Sequence, residues 1–262
     1  MVTAYDFSSA ILAERAGIDV VLVGDSLGMV VLGYSSTLPV TMDEMIHHTR
    51  AAARGIKRAL LVGDMPFMSY HAGEEAAVLN AGRFLKEAGA HAVKLEGGRT
   101  MCPLVRRMTA CGIPVMGHIG LTPQSINLVG GFRLQATTSH AAEALLEDAL
   151  ALQEAGAFAV VLELVPVEVA GLVSRRLSAP TIGIGSGPEC DGQVLVFHDL
   201  LGLYECFVPR HTKQYARLGE TAITALSQYR DEVRAGRFPS DEHSRRLKAD
   251  EWAALRARVG EK

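Results

Sequence analysis

The chain has 262 residues, of which 48% are hydrophobic and 21% are charged, and this composition is typical of a folded globular protein. It excludes a disordered chain, a collagen-like repeat and a coiled coil. The formal net charge of -3 gives no indication that the chain binds nucleic acid or an anionic membrane surface. The apolar runs are too short for a membrane-spanning helix.

Eight short apolar runs recur along the chain, and most of them end in a polar residue or a glycine-rich turn. They are residues 2–5, 20–24, 60–63, 92–95, 113–117, 159–162, 181–184 and 194–197. Runs of this length that are rich in Val, Ile and Leu are typical of strands buried on both faces. We therefore expect eight strands.

Helix-like stretches lie between many of these runs, and a glycine that suits a left-handed C-cap follows each of them. They are residues 8–16, 41–54, 74–88, 104–111 and 140–155. The link at 188–193 is too short for a helix, and a long final helix is expected at 215–234. Alternating strands and helices predict a parallel sheet, and eight such units predict a single-domain (β/α)8 barrel, an α/β fold. The alternative is an open doubly wound sheet. We expect the barrel to occupy residues 1–244 and a charged tail to follow at 245–262.

The chain begins with no recognisable signal peptide. Its four cysteines contain no CxxC pair: Cys102, Cys111, Cys190 and Cys206. In a chain of this length, such spacing favours reduced thiols over a disulfide framework. We therefore expect a cytoplasmic protein.

Polar residues in or just after the predicted strands form the candidate site, because barrel enzymes act at the carboxyl ends of their strands. They are Asp25, Asp64, Lys94, Glu96, His118 and Glu163. Four carboxylates in one cavity would repel one another unless a cation lay among them, and carboxylates favour Mg2+ over Zn2+. Lys94 and Glu96 are two residues apart, so a strand would direct both to the same side.

Each of these residues also has a structural interpretation. A single Asp at the end of a strand is often a helix cap or a turn former, and a single His is often a hydrogen-bonded core residue. The segment 183–187 is rich in glycine like a phosphate-binding loop, but Pro188 departs from G-x-G-x-x-G and favours a tight turn. From composition and spacing alone, the sequence indicates a metal-assisted enzyme on a barrel.

Nine short segments that include the candidate residues carry a further signal. They are TAYD at 3–6, VGDSLGM at 23–29, DMPF at 64–67, VKLEGG at 93–98, GHIGLTPQS at 117–125, LELVP at 162–166, IGIGSG at 182–187, DGQVL at 191–195 and DEHS at 241–244. In this order they resemble the ketopantoate hydroxymethyltransferase family. The DSLG segment alone is weak evidence for this family, because phosphoenolpyruvate mutase and isocitrate lyase barrels have a similar sequence there.

The resemblance implies transfer of a hydroxymethyl group from 5,10-methylenetetrahydrofolate to 3-methyl-2-oxobutanoate, giving 2-dehydropantoate for pantothenate biosynthesis. It also implies a Mg2+-dependent homodecamer. By matching motif, the metal set is Asp25, Asp64 and Glu96, the last directly or through water. Ser26 and Lys94 would hold the carboxylate of the oxoacid, and Asp25, Asp64 and His118 would also contact the substrate. Glu163 would be the general acid/base.

The chain departs from this family in three places. It begins directly at TAYD, where family members usually carry a preceding helix. Residues 136–140 replace a glycine-rich basic turn, so Ala136 would restrict the backbone where the family has Gly. Residues 203–207 lack the family's glycines. These departures keep open an impaired paralogue or scaffold that binds metal and oxoacid without turnover. A lyase for a related 2-oxoacid is a second alternative on the same fold.

Overall fold

The computed structural model describes residues 1–204 and 208–261, without the side chain of Val129, so Cys206 and most of the segment 203–207 lie outside the described residues. Within these residues, eight strands form one sheet in which neighbours follow chain order. The strands are β1 Val2–Thr3, β2 Val20–Val23, β3 Leu60–Asp64, β4 Ala92–Glu96, β5 Val115–Gly120, β6 Ala159–Glu163, β7 Thr181–Ile184 and β8 Gly192–Gln193. Every neighbouring pair is parallel.

The sheet closes on itself just beyond β8. Val2 pairs in parallel with Leu195. The Thr3 amide donates a hydrogen bond to the Leu195 carbonyl at 3.1 Å, and the Phe197 amide donates one to Thr3 Oγ1 at 2.9 Å. The predicted (β/α)8 barrel is confirmed, and the open doubly wound alternative is wrong because such a sheet reverses its strand order and leaves two free edges.

Helices connect most of the strands. They are α1 Phe7–Arg15, α2 Leu27–Val30, α3 Met42–Ala53, α4 Glu74–Lys86, α5 Cys102–Ala110, α6 Ile126–Val129, α7 Ser139–Glu154, α8 Val167–Arg176 and α9 Phe197–Leu200. Single 3-10 turns precede α5 and α6, at Arg99–Met101 and Pro123–Ser125. All five predicted helices are confirmed, with ends within two residues of α1, α3, α4, α5 and α7. No helix lies between β7 and β8, as the short link predicted.

By its internal contacts the chain divides into two compact units, Met1–Ala216 and Arg217–Lys262. The first is the barrel. The second contains α10 Leu218–Arg234, which confirms the predicted final helix, then a 3-10 turn at Asp241–His243 and α11 Ala249–Val259. The boundary predicted at residue 244 stays a prediction. In the described residues, no helix is both long and apolar enough to cross a membrane, and Cys102, Cys111 and Cys190 are free thiols.

The last strand differs from the prediction. The run at 194–197 is not the last strand: β8 is Gly192–Gln193, and the chain enters α9 at Phe197, where Thr3 satisfies the free backbone amide. The sequence pattern also missed α8. Its valines and Gly171 favour a helix only weakly, but Ala170 and Val173 are fully buried, so tertiary packing overrides the local preference.

The glycines that follow the predicted helices serve two purposes. Four of them have a positive φ and end their helices as expected: Gly17, Gly89, Gly112 and Gly156. Gly55 does not have a positive φ, so the prediction of a left-handed C-cap at this glycine is wrong. A Cβ at Gly55 would lie 2.9 Å from the Phe7 carbonyl oxygen and 3.0 Å from Ala10 Cβ. Gly55 is therefore needed because the chain after α3 passes very close to α1.

Alternate positions of each strand face the inside of the barrel, and this alternation places the site. A small apolar cluster fills the interior: Leu22, Val62, Ala92, Met116, Ala159 and Val161. Two or four residues further along, the same strands or their carboxyl ends carry Asp64, Lys94, Glu96, His118 and Glu163. The barrel interior is thus apolar at its centre and ionisable at its carboxyl end.

Candidate active site

A cavity of about 320 Å³ opens at the carboxyl ends of the strands. All the residues that the sequence analysis selected line it: Asp25, Ser26, Asp64, Lys94, Glu96, His118 and Glu163. Its apolar wall includes Leu22, Met29, Val161 and Ile184. Lys94 and Glu96 both line the cavity, so the prediction that they share a side is confirmed.

Three buried carboxylates and one ammonium group form the floor of the site. Lys94 Nζ lies 2.9 Å from Asp64 Oδ1, and the Asp25 amide donates a hydrogen bond to Asp64 Oδ2 at 3.1 Å. Burial and the charges of Asp64 and Glu96 hold the pKa of Asp25 well above its usual range. Burial also raises the pKa of Asp64, although Lys94 opposes it. For Lys94, burial alone would lower the pKa, but the surrounding carboxylates outweigh it and raise the pKa. The floor therefore brings three buried carboxyl groups together with one ammonium group, and a further cation would ease the repulsion among the carboxylates.

His118 stands between two carboxylates on neighbouring strands. Its Nε2 lies 3.2 Å from Glu163 Oε2, and its Nδ1 lies 3.5 Å from Glu96 Oε1 and 3.2 Å from Lys94 Nζ. Burial and Lys94 act to lower the pKa of His118, but Glu163 and Glu96 raise it to about 9. Burial acts to raise the pKa of Glu96, and the contact with His118 lowers it overall. His118 thus links the carboxylate floor to Glu163.

The backbone around Glu163 is held tightly. The residue after it, Leu164, has a left-handed φ of 46°, which costs energy in a residue with a side chain. Ser186 Oγ donates to the Leu162 carbonyl at 2.7 Å and accepts from the Val165 amide at 3.1 Å. Ser186 belongs to the glycine-rich segment 183–187, where Gly185 and Gly187 have positive φ and make a tight turn, as the structural interpretation predicted.

Gly120 allows the closest approach to Glu163. A Cβ at Gly120 would lie 2.3 Å from the Glu163 carbonyl oxygen, and its φ is +91°. Gly120→Ala is therefore expected to lower the free energy of unfolding by about 2 kcal/mol or more. The matched control is Gly17→Ala, where φ is +74° but no atom lies within 4 Å, so only the backbone cost of about 1 kcal/mol applies. Denaturant unfolding of both variants measures the difference, and equal losses would contradict the close approach.

The segment 132–136 lies beside Glu163. Phe132 lines the cavity, and the Gln135 amide donates a hydrogen bond to the Leu164 carbonyl at 2.8 Å. Ala136 has a φ of 52°, a conformation that favours glycine. Ala136 therefore adopts a glycine-favoured conformation next to the site, and the effect of the replacement on loop closure stays a prediction.

Several residues of the site were missed by the sequence analysis. Gln124 stood in a quoted motif without a role, yet it is buried and its Nε2 donates to Asp25 Oδ2 at 2.9 Å. Tyr70 donates to Gln124 Oε1 at 2.7 Å, and Tyr5 lies 2.9 Å from Ser26 Oγ, hydroxyl to hydroxyl. Asp199 in α9 also lines the cavity, and burial raises its pKa to about 6. Of these, only Asp199 carried a signal, as a polar residue that follows an apolar run.

The donor set fits a hard divalent cation. Asp64 Oδ1 and Glu96 Oε1 are buried and accept no hydrogen bond of good geometry from the described residues. Over residues 1–204 and 208–261, no three His, Cys, Asp or Glu side chains form a ready-made metal cage. Lys94 accounts for this in part, since its ammonium group lies against Asp64. Mg2+ needs no such cage, because it usually takes one or two carboxylates and completes its shell with water and substrate oxygens.

A (β/α)8 barrel with an ionisable cavity at the carboxyl ends of its strands has the architecture of an enzyme. Solved structures share the fold: 2,3-dimethylmalate lyase, of the PEP mutase/isocitrate lyase superfamily, matches with a TM-score of 0.59 at 17% identity over 99% of this chain and 92% of its own. Phosphoenolpyruvate phosphomutase from Streptomyces platensis subsp. rosaceus matches with a TM-score of 0.58 at 18% identity over 99% of this chain and 93% of its own.

Sequence similarity narrows this class to one family. The family model for ketopantoate hydroxymethyltransferase matches residues 1–241. The 3-methyl-2-oxobutanoate hydroxymethyltransferase of Moorella thermoacetica is 61% identical over 93% of this chain and 91% of its own length. That of Chloroflexus aggregans is 60% identical over 97% of this chain and 90% of its own length. The chain belongs to the ketopantoate hydroxymethyltransferase family, whose members are transferases.

Proposed function

We propose that this chain transfers a hydroxymethyl group from 5,10-methylenetetrahydrofolate to 3-methyl-2-oxobutanoate, giving 2-dehydropantoate. The observation that carries the proposal is that the buried carboxylates, Lys94 and Glu163 line one small cavity. In the overall reaction a water molecule is consumed and tetrahydrofolate is released. The new carbon–carbon bond forms at the carbon next to the ketone of the oxoacid.

The cavity has complementary surfaces for the two ends of the oxoacid. Lys94 would attract the substrate carboxylate, and the Ser26 hydroxyl, held by Tyr5, would orient it. The apolar wall, with Leu22, Val161 and Ile184, suits the branched end of the molecule. Together these contacts would fix the reacting carbon relative to Glu163.

Asp25, Asp64 and Glu96 would hold Mg2+, with Glu96 binding directly or through water. When bound, this ion supplies Lewis acidity that makes the carbon next to the ketone easier to deprotonate. The support for the site is the repulsion among the buried carboxyl groups and the two buried oxygens, Asp64 Oδ1 and Glu96 Oε1, that accept no hydrogen bond of good geometry from the described residues.

Glu163 would act as the general acid/base. It lies on β6, apart from the proposed metal ligands, so its carboxylate can face the substrate. Its carboxylate would take the proton from the carbon next to the ketone, and the C–H electron pair would form the new bond to the one-carbon unit. The two C–N bonds to the folate break, water supplies the hydroxyl oxygen, and the protons from carbon and water end on the hydroxyl group and on the two folate nitrogens, so that tetrahydrofolate leaves. His118, 3.2 Å away, would orient the Glu163 carboxylate.

The experiment is an assay for 2-dehydropantoate with oxoacid, folate and Mg2+, together with reactions that each lack one component. We expect product only in the complete reaction. Loss of a 2-oxoacid without folate would instead indicate a lyase. Calorimetry that detects oxoacid and metal binding without any turnover would indicate an impaired paralogue or scaffold. The homodecamer and the cytoplasmic location stay predictions, which light scattering and cell fractionation would test.

A further inference from the structure

Gln124 forms a hydrogen-bonded bridge beneath the carboxylate floor. It lies in the 3-10 turn after β5 and only 4% of its surface is exposed. Its Nε2 donates to Asp25 Oδ2 and to the Met65 carbonyl, each at 2.9 Å. Its backbone amide donates to Glu96 Oε2 at 3.0 Å. Gln124 therefore holds one oxygen of Asp25 and one oxygen of Glu96.

Tyr70 fixes the orientation of the Gln124 amide. The Glu96 amide donates to the Tyr70 hydroxyl at 3.2 Å, so the phenol proton is free to bind Gln124 Oε1 at 2.7 Å. The Met65 carbonyl can only accept, which requires the amide nitrogen on the other side. Both ends of the amide are thus assigned, and Nε2 must face Asp25.

This arrangement divides the oxygens of the floor into two sets. Asp25 Oδ2 and Glu96 Oε2 are occupied by Gln124. Glu96 Oε1 is buried and accepts no hydrogen bond of good geometry from the part of the chain that is described. A neutral amide orients the carboxylates without offsetting their charge, so it leaves the need for a cation in place.

We propose that Gln124, held by Tyr70, is a positioning residue that presents Asp25 and Glu96 to the divalent cation and sets the affinity of the site for it. The inference rests on the proposed function, since it assumes that these carboxylates bind the cation. Partners of metal ligands typically change metal affinity by about 10- to 100-fold when they are removed. Gln124 is expected to act in this range.

The test is Mn2+ binding to the protein without substrates, measured by electron paramagnetic resonance of the free ion. Gln124→Met keeps the length of the side chain and removes both donors to Asp25 and Met65, and we expect it to weaken Mn2+ binding about 10- to 100-fold. Tyr70→Phe removes one hydroxyl and should weaken binding by about tenfold, the lower end of this range. In both variants kcat should recover at saturating Mg2+, which a general loss of structure would not allow.

Matched controls remove the same atoms away from the site. Gln153→Met removes a side chain that accepts from the Ser178 and Ala179 amides, and Tyr34→Phe removes a hydroxyl that donates to Glu44. Both should bind Mn2+ like the unaltered chain. If Gln124→Met fails to fold, Tyr70→Phe decides the question. Unchanged Mn2+ affinity in the folded variants would overturn the positioning role, whereas no binding by the unaltered chain would overturn the proposed metal site itself.

Discussion

Glu163→Gln is expected to lower kcat for hydroxymethyl transfer by about 10²- to 10⁴-fold, the usual contribution of a positioned general acid/base. The amide has nearly the shape of the carboxylate but cannot take the proton from carbon. The oxoacid should still bind, because Lys94 and the carboxylate floor are unchanged. The effect should therefore appear in kcat, with a much smaller change in the dissociation constant of the oxoacid.

Steady-state kinetics at saturating Mg2+ and calorimetry with the oxoacid measure the two quantities. The matched control is Glu168→Gln, which makes the same exchange at an exposed position in the first turn of α8. It should leave kcat unchanged. Turnover by Glu163→Gln equal to that of the unaltered chain would remove Glu163 from the proposed mechanism.

Lys94→Met should have the largest effect on stability. Without the ammonium group, Asp64 becomes a buried charge with no cationic partner, and breaking such a pair typically costs about 3–5 kcal/mol. The loss is expected in the presence of a chelator. Lys57→Met removes one exposed positive charge and should change the free energy of unfolding by less than about 0.5 kcal/mol.

The loss in Lys94→Met should depend on pH. Burial already raises the pKa of Asp64, and removal of Lys94 raises it further. A carboxyl group whose pKa is higher in the folded state lowers stability above its unfolded pKa, and this penalty disappears as pH falls and the folded protein takes up the proton. Urea unfolding at pH 5.5 and pH 8 should therefore show the larger deficit at pH 8. A deficit that grows toward acid would contradict the pairing of Lys94 with Asp64.

Much of the fold could be predicted because strands buried on both faces leave a pattern that needs no knowledge of their neighbours. The eight apolar runs, the helices between them and the polar residues at the strand ends are all local features. Prediction was wrong where local preference was weak or misleading. Residues 194–197 are apolar, but within them only Leu195 pairs with β1, and the chain enters α9 at Phe197, so the last strand is Gly192–Gln193. The weak helix formers of α8 fold into a helix because its buried face packs against the rest of the unit.

The candidate site likewise contains some features that the sequence predicts and others that only the folded chain reveals. Lys94 and Glu96 were expected on one side of a strand, since side chains alternate along a strand whatever the tertiary structure. Gln124 could not be assigned in this way, because its partner Asp25 is 99 residues away in the sequence. The role of Gly120 could not be predicted from the sequence either, because its missing side chain matters only where the backbone of Glu163 passes beside it.

The sequence by itself determined the alternation of strands and helices, the inward direction of the ionisable side chains and their position at one end of the barrel. These follow from periodicity, which is a local property of the backbone. The tertiary structure alone decided which of these groups touch: Lys94 with Asp64, His118 with Glu163, and Gln124 with two carboxylates. Such contacts depend on the register between neighbouring strands, and a shift of one residue would turn every inward group outward.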